Sequence, residues 1–222
     1  MNIQKSEIEL KVNEQTARAY LATPEGGGPG VLVLHAWWGL NSFFKKVCDR
    51  LAAEGFTALA PDLYQGHLAG TIKEAEELLH MEQDNIGLLQ AIVQASLGHL
   101  ESIKSGQLGV IGFSMGAYWS MVAAAGDPRV KAVVLFYGTS DVDPKKIHAA
   151  VQGHFAEYDP YESPEGVGAM GDAMKAAGVN AAFYTYPGVH HWFMEDDRPE
   201  YNEAAAEAAW GRTIAFLRET LK

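Results

Sequence analysis

Short apolar runs alternate with segments of helical periodicity along most of the chain, and this alternation limits the possible fold more than any other feature. The runs read GVLVLHA, FTALAP, QLGVIGF, VKAVVLFYG, HAAVQGHFA and VNAAFYTYP. Strands that are almost continuously apolar are buried on both faces, and intervening helices allow neighbouring strands to run parallel. We therefore predict an α/β fold with a mostly parallel central sheet and helices on both faces.

Two stretches ahead of these runs alternate polar and apolar residues instead. IELKV and ARAYLA meet near Asn13 and Glu14, which predicts an antiparallel lead-in to the sheet. Helical patterns cover residues 42–54, two stretches between 72 and 100, and residues 115–125, 164–177 and 200–221. The last of these helices carries one apolar stripe, formed by Trp210, Ile214, Leu217 and Leu221.

Length and composition favour a single folded domain. A chain of 222 residues with 48% hydrophobic content can bury a single core, so we expect one domain over residues 1–222. The net charge of −11 opposes binding to nucleic acid and to anionic lipid surfaces. We find neither a basic start followed by an apolar segment nor an apolar run of roughly 18 residues, and we expect a cytoplasmic protein without a membrane segment.

The residues that follow the predicted strands are rich in reactive side chains. The strand ends read HAWWG, PDLYQG, GFSMG, YGTSD, AEYDPYE and PGVHHWF. Ligands of parallel α/β sheets bind beyond the carboxyl ends of the strands. The pattern therefore brings a serine, several carboxylates and a histidine pair to one edge of the sheet.

Ser114 is the candidate nucleophile, because GFSMG has the form of a nucleophile elbow. Glycines on both sides of the serine allow a strained strand-to-helix turn to pass close to its neighbours. The required context is present, since an apolar run precedes the motif and a helical pattern follows it.

A serine hydroxyl needs an imidazole base, which in turn needs a carboxylate to fix its tautomer. In this type of fold the chain order is serine, acid, histidine, which leaves His190 or His191 as the base. Glu157 and Asp159 lie on the expected loop, of which Asp159 is the preferred acid, and Asp141 is the main competitor. An aspartate before proline can also serve only to open a turn.

An oxyanion hole requires backbone donors near the nucleophile. The elbow pattern assigns the N–H of Met115 and an N–H from the loop after the first parallel strand, here that of Trp37. Two adjacent tryptophans of an extended loop are not expected to turn inward together. We therefore predict that one of them, Trp38, lines the substrate pocket.

Over essentially its whole length the sequence resembles the dienelactone hydrolase family of α/β-hydrolases. The resemblance is carried by HAWWG, APDLYQG, the elbow, HFAEYDPY and the ending YPGVHHWFMEDDRPEYNEAAAEAAWGRTIAFL. It implies an α/β-hydrolase fold with Ser114 as nucleophile, Asp159 as acid and His191 as base. It further implies hydrolysis of a carboxylic ester or lactone.

Two departures from the family pattern bear on the substrate and on activation. The best-known members have a cysteine nucleophile and a glutamate in the first loop, where this chain has Ser114 and Ala36, so it resembles a serine-bearing branch. Glu195 stands where the family has an arginine that holds the substrate carboxylate, which argues against dienelactone itself. The acidic run that begins at Glu195 forms either a rim that repels anionic substrates or an ordinary solvated surface with an acidic helix start.

We therefore expect a serine hydrolase that acts on a small-molecule ester or lactone through an acyl-enzyme. One alternative is acyl transfer or perhydrolysis from the same intermediate, and another is a non-catalytic binding protein on the same fold. We expect no cofactor and no metal, because Asp62, His67 and the histidine pair lack a recognisable ligand pattern. The sequence leaves the oligomeric state open.

Overall fold

The structure is a computed structural model that describes residues 2–83, 85–104 and 106–221. Within these residues, eight strands form a mostly parallel sheet with an antiparallel start, and six α-helices accompany them. The predicted α/β class and the antiparallel lead-in are confirmed. The chain divides into two compact units, Met1–Leu108 and Gly109–Lys222, which are described in turn. A single domain over residues 1–222 stays a prediction.

The first unit contains an antiparallel hairpin followed by a parallel strand pair. Its elements are β1 (Ile3–Val12), β2 (Gln15–Pro24), β3 (Gly30–Leu34), α1 (Ser42–Ala53), β4 (Thr57–Pro61), α2 (Ile72–Gln83) and α3 (Ile86–Ile103). β1 pairs antiparallel with β2, and Asn13 in their turn has a positive φ of 55°. β2 pairs antiparallel with β4, whereas β3 pairs parallel with β4.

Helix α1 illustrates how the sequence sets an element's limits. The side chain of Asn41 accepts hydrogen bonds from the N–H groups of Phe43 and Phe44, at 3.0 and 3.4 Å. These are donors that the start of a helix leaves without a backbone partner. The helix is followed by Gly55 at φ 95°, a conformation that favours glycine. Its buried residues are Phe43, Phe44, Val47, Cys48, Leu51 and Ala52.

His35 fixes the loop that carries the tryptophan pair of the first unit. Its Nδ1 lies 2.7 Å from the carbonyl oxygen of Ala36, and its Nε2 accepts the N–H of Leu63 at 3.1 Å. Burial lowers the pKa of His35, so the imidazole is neutral with the proton on Nδ1. This histidine joins two loops and has a structural role.

The second unit consists of parallel strands joined by helices. Its elements are β5 (Leu108–Phe113), α4 (Met115–Gly126), β6 (Val130–Phe136), a 3₁₀ turn (Pro144–Lys146), β7 (Ala150–Tyr158), α5 (Pro164–Ala176), β8 (Ala181–His190) and α6 (Glu203–Thr220). β7 pairs parallel with both β6 and β8. Every residue of β5 is buried, as a nearly continuous apolar strand predicts.

In this unit the sequence predicts the apolar stripe of α6 but not the short 3₁₀ turn. The predicted stripe of α6 is buried, with Trp210 and Ile214 each 6% exposed and Leu217 fully covered. The 3₁₀ turn was not predicted, since three residues carry no periodic signal. Asp143 caps this turn by accepting the N–H of Lys145 at 3.0 Å, so this aspartate has the turn-forming role that an aspartate before proline allows.

A buried polar cluster surrounds His154 of β7. Tyr186 lies 2.8 Å from Nδ1, and Gln152 Oε1 lies 3.0 Å from Nε2. Because Gln152 Oε1 can only accept, the proton of the neutral imidazole lies on Nε2, and Nδ1 accepts the Tyr186 hydroxyl proton. Arg212 donates to the oxygen of that hydroxyl at 2.8 Å. Burial lowers the pKa of His154 to about 3, and the nearby Arg212 charge acts in the same direction.

The depressed pKa of His154 makes the stability of the fold depend on pH. Below its ordinary pKa of about 6.5, the imidazole of the unfolded chain binds a proton that the folded chain refuses, so the free energy of unfolding falls as pH decreases. We predict that His154→Gln reduces the loss of stability between pH 7 and pH 4.5 by on the order of 2 kcal/mol. Urea unfolding of both proteins at the two pH values measures this. An equal loss of unfolding free energy in the two proteins would contradict the depressed pKa of His154.

Candidate active site

Ser114 occupies a strained turn between β5 and α4. Its φ of 51° and ψ of −115° lie in a region that residues with a side chain rarely adopt. The surrounding backbone holds this conformation, since the N–H of Ser114 donates to the carbonyl of Phe136 at 2.9 Å and its own carbonyl accepts the N–H of Ala117 at 2.8 Å. The turn therefore has the strained strand-to-helix form that the motif predicts.

Glycine is required at two positions around this turn. A Cβ atom on Gly112 would lie 2.0 Å from the carbonyl oxygen of Gly116 and 2.2 Å from Ser120 Oγ. A Cβ atom on Gly138, just beyond β6, would lie 2.6 Å from the carbonyl oxygen of Ser114. The requirement at Gly112 was predicted from the motif. Gly138 was missed, because its role arises from a neighbouring strand.

His191 links the serine to a carboxylate. Its Nε2 lies 3.0 Å from Ser114 Oγ, and its Nδ1 lies 2.7 Å from Asp159 Oδ2. The side chains of His191 and Asp159 are each only 2% exposed. The three residues therefore form a continuous hydrogen-bonded line within the second unit.

Strand pairing explains why the acid and the histidine meet. Tyr158, the last residue of β7, pairs with His190, the last residue of β8, after a register shift that begins at Ala156. Asp159 directly follows β7 and His191 directly follows β8. Their side chains therefore emerge from neighbouring strand ends. A one-residue slip of this register would place His190 there instead.

The carboxylate of Asp159 also organises its own loop. Its Oδ1 accepts the N–H groups of Tyr161 and Glu162 at 2.9 and 3.0 Å, while Oδ2 faces the imidazole. The turn-forming role of an aspartate before proline and the role of a histidine partner are thus combined in one side chain. A carboxylate that accepts Nδ1–H leaves Nε2 without a proton and facing Ser114.

The competing candidates lie elsewhere. The imidazole of His190 is exposed, with its ring centroid 5.5 Å from that of Tyr158. Asp141 is exposed in the loop after β6. Glu157 uses Oε2 to accept the N–H of Gly188 at 2.7 Å.

Three aromatic rings surround the imidazole of His191. The centroids of Tyr137 and Tyr161 each lie 4.9 Å from it, and that of Trp192 lies 5.0 Å away. Tyr137 is fully buried, whereas Tyr161 is 46% exposed. Both tyrosines follow predicted strands, in YGTSD and AEYDPYE, but the sequence carries no signal that directs their rings to a histidine distant in the chain.

The predicted oxyanion donors lie in different units. Met115 begins α4 directly after Ser114, and its role as a donor stays a prediction. Trp37 and Trp38 follow β3 in the first unit, with ring centroids 5.5 Å apart. The expectation that only one of them turns inward is wrong, because both are buried. The donor role of Trp37 and the substrate-binding role of Trp38 stay predictions.

Glu195 corrects the interpretation of the acidic run as a uniformly exposed surface. Its side chain is fully buried, and the hydroxyl of Tyr137 donates to its Oε1 at 2.9 Å. Burial raises the pKa of Glu195 to about 8, because its effect outweighs the opposing hydrogen bond from Tyr137. The carboxyl group is therefore mostly protonated at neutral pH. Asp196 and Asp197 are exposed, as expected.

The described residues offer neither a metal-binding cluster nor a membrane-spanning helix. Among residues 2–83, 85–104 and 106–221, no three histidine, cysteine, aspartate or glutamate side chains are grouped so that they could hold a metal ion. No helix in the same part of the chain has the length and apolar character needed to cross a membrane.

Comparisons with known proteins place the chain in a family. The model of the dienelactone hydrolase family matches residues 17–221. Protein usf of Aquifex pyrophilus is 35% identical over 96% of this chain and 98% of its own length. An Aquifex aeolicus protein named as a carboxymethylenebutenolidase is 32% identical over 97% of this chain and 98% of its own length.

A solved structure from Klebsiella pneumoniae, named as a dienelactone hydrolase, has a TM-score of 0.89 and 26% identity, covering 99% of this chain and 100% of its own. The family match and these relatives show that the chain belongs to the dienelactone hydrolase family, whose members are hydrolases of ester and lactone bonds.

Proposed function

We propose that the protein hydrolyses carboxylic esters or lactones through a covalent acyl-enzyme on Ser114. The observation that carries the proposal is the position of His191, which has hydrogen-bond partners at both ring nitrogens, Ser114 Oγ and Asp159 Oδ2. This is the arrangement that activates a serine hydroxyl for attack on a carbonyl. The name of the Aquifex aeolicus relative, a carboxymethylenebutenolidase, favours hydrolysis over transfer to another acceptor.

In the first half of the reaction, Ser114 Oγ bonds to the carbonyl carbon while its proton moves to His191 Nε2. The carbonyl oxygen becomes an oxyanion, for which the N–H of Met115 is the proposed donor. Asp159 stabilises the imidazolium through Nδ1–H. The proton on Nε2 then passes to the leaving oxygen, the carbon–oxygen bond breaks, and the acyl group remains on Ser114.

In the second half, water replaces the leaving alcohol. His191 Nε2 takes a proton from water as the water oxygen bonds to the acyl carbon, and returns it to Ser114 Oγ as the acid departs. With a lactone, the alcohol and the acyl group belong to one molecule, so the product is a hydroxy acid. The two halves use the same three side chains.

We infer that the preferred substrates are uncharged. Glu195, whose pKa is raised by burial to about 8, stands where the family's arginine holds a substrate carboxylate, so that position supplies no positive charge. Asp196 and Asp197 are exposed shortly after His191, and the chain carries a net charge of −11. An anionic ester would therefore approach against a repulsive field.

Substitution of the three residues tests the mechanism. Ser114→Ala and His191→Ala are expected to lower kcat/KM for phenyl acetate by about 10⁴-fold or more, and Asp159→Asn by about 10⁴-fold, because the residues act as one unit. The matched controls, His190→Ala and Asp141→Asn, should stay within a few-fold of the wild type. Melting temperatures establish that each variant is folded. If His190→Ala were as damaging as His191→Ala, the choice of base would be wrong.

A pair of related esters tests the preference for uncharged substrates. We predict that kcat/KM for phenyl acetate exceeds that for 4-acetoxybenzoate by about tenfold at low ionic strength, since the second ester carries an added carboxylate. The ratio should shrink in 1 M NaCl, where the Debye length falls to about 3 Å. Equal turnover of the two esters at low salt, or a ratio that salt leaves unchanged, would contradict the preference.

A further inference from the structure

Tyr137 lies between the histidine of the candidate site and a buried carboxyl group. Its ring centroid is 4.9 Å from that of His191, with the two planes inclined by 56°. Its hydroxyl donates to Glu195 Oε1 at 2.9 Å, across 58 residues of sequence. One side chain thus contacts the imidazole with its ring and the carboxyl group with its hydroxyl.

The backbone holds Tyr137 in an unfavourable conformation at this place. Its φ is 39°, which is rare for a residue with a large side chain. The N–H of Tyr137 donates to the carbonyl of His154 at 2.8 Å, and Gly138 follows with its close approach to Ser114. Strained backbone of this kind persists only where the surroundings determine it, and it is concentrated at functional sites.

The ring of Tyr137 is also confined by other aromatic side chains. Phe193 contacts it edge-on with centroids 5.5 Å apart, and Phe113 lies 6.1 Å away at 57°. These apolar contacts restrict movement of the ring but do not select its rotation toward His191. The hydrogen bond to Glu195 supplies that selection.

Glu195 is a costly residue to bury at this position. Its side chain is fully buried, and Oε2 has no hydrogen-bond partner among the residues that the structure describes. A leucine of similar volume would avoid the desolvation of a carboxyl group. Stability therefore does not explain a glutamate at this position, and we look to its hydrogen bond with Tyr137 for a functional role.

We propose that Tyr137 and Glu195 form a positioning pair, in which their hydrogen bond fixes the tyrosine ring against the His191 imidazole and so keeps Nε2 directed at Ser114 Oγ. The inference rests on the proposed function, because it takes His191 as the base. Asp159 anchors the imidazole at Nδ1 only, which leaves rotation about that hydrogen bond to be limited by packing. Tyr161 also contacts the ring but is 46% exposed, whereas Tyr137 and Trp192 are both buried against it. Tyr137 differs from Trp192 in that its hydroxyl is held by the buried carboxyl group of Glu195.

Two single variants and their combination separate positioning from stability. Tyr137→Phe and Glu195→Leu each leave a buried polar partner without its hydrogen bond, so each should lower the melting temperature. Each should also lower kcat for phenyl acetate by about tenfold with little change in KM, because small misplacements of a base slow the chemical step. The double variant removes both polar partners and should recover melting temperature without recovering kcat.

Two further variants serve as controls. Glu195→Gln keeps an acceptor for the Tyr137 hydroxyl, so its kcat should exceed that of Glu195→Leu several-fold. Tyr186→Phe removes another buried hydroxyl, one bonded to His154 and Arg212, and should lower stability while leaving kcat near the wild-type value.

The outcomes distinguish this inference from the proposed function. If kcat recovers together with melting temperature in the double variant, or if Glu195→Leu leaves kcat unchanged, the pair has only a structural role and the inference is overturned. If Ser114→Ala retains turnover, the proposed function itself fails. Loss of turnover in Ser114→Ala together with unaltered kcat in the pair variants would reject the positioning role alone.

Discussion

The hydrogen bond between His191 Nδ1 and Asp159 is the interaction on which the candidate site depends. It sets the tautomer of the imidazole, and the tautomer decides whether Nε2 can accept a proton from Ser114. The bond exists because the pairing of Tyr158 with His190 brings the next residue of each strand side by side. The register of two parallel strands thus determines the chemistry available at their ends.

Unfavourable features of the second unit are concentrated around this bond. Ser114 and Tyr137 both have positive φ values, and Gly112 and Gly138 occupy positions where a Cβ atom would overlap the backbone. Glu195 adds a buried carboxyl group with one oxygen that lacks a partner among the described residues. Each feature costs folding free energy, and the well-packed strands β5 and β6 make that cost tolerable.

Much of this arrangement could be predicted from the sequence, because it is encoded in local patterns. Apolar runs and helical periodicity predict the strands and helices, and the GFSMG motif predicts the turn at Ser114. The choice of His191 over His190 came only from the family resemblance, since the two are adjacent and only the strand register separates them. Glu195 was wrongly grouped with exposed acidic residues, because its burial depends on Tyr137, a contact distant in the sequence.

The central claim is that Ser114 is an activated nucleophile, and labelling with a fluorophosphonate tests it most directly. Such a probe forms a covalent bond with a serine only when a neighbouring base accepts the hydroxyl proton. The account predicts one adduct per chain, on the peptide that contains Ser114, with labelling and loss of ester hydrolysis proceeding at the same rate. Ester hydrolysis that survives complete labelling, or an adduct on another residue, would contradict it.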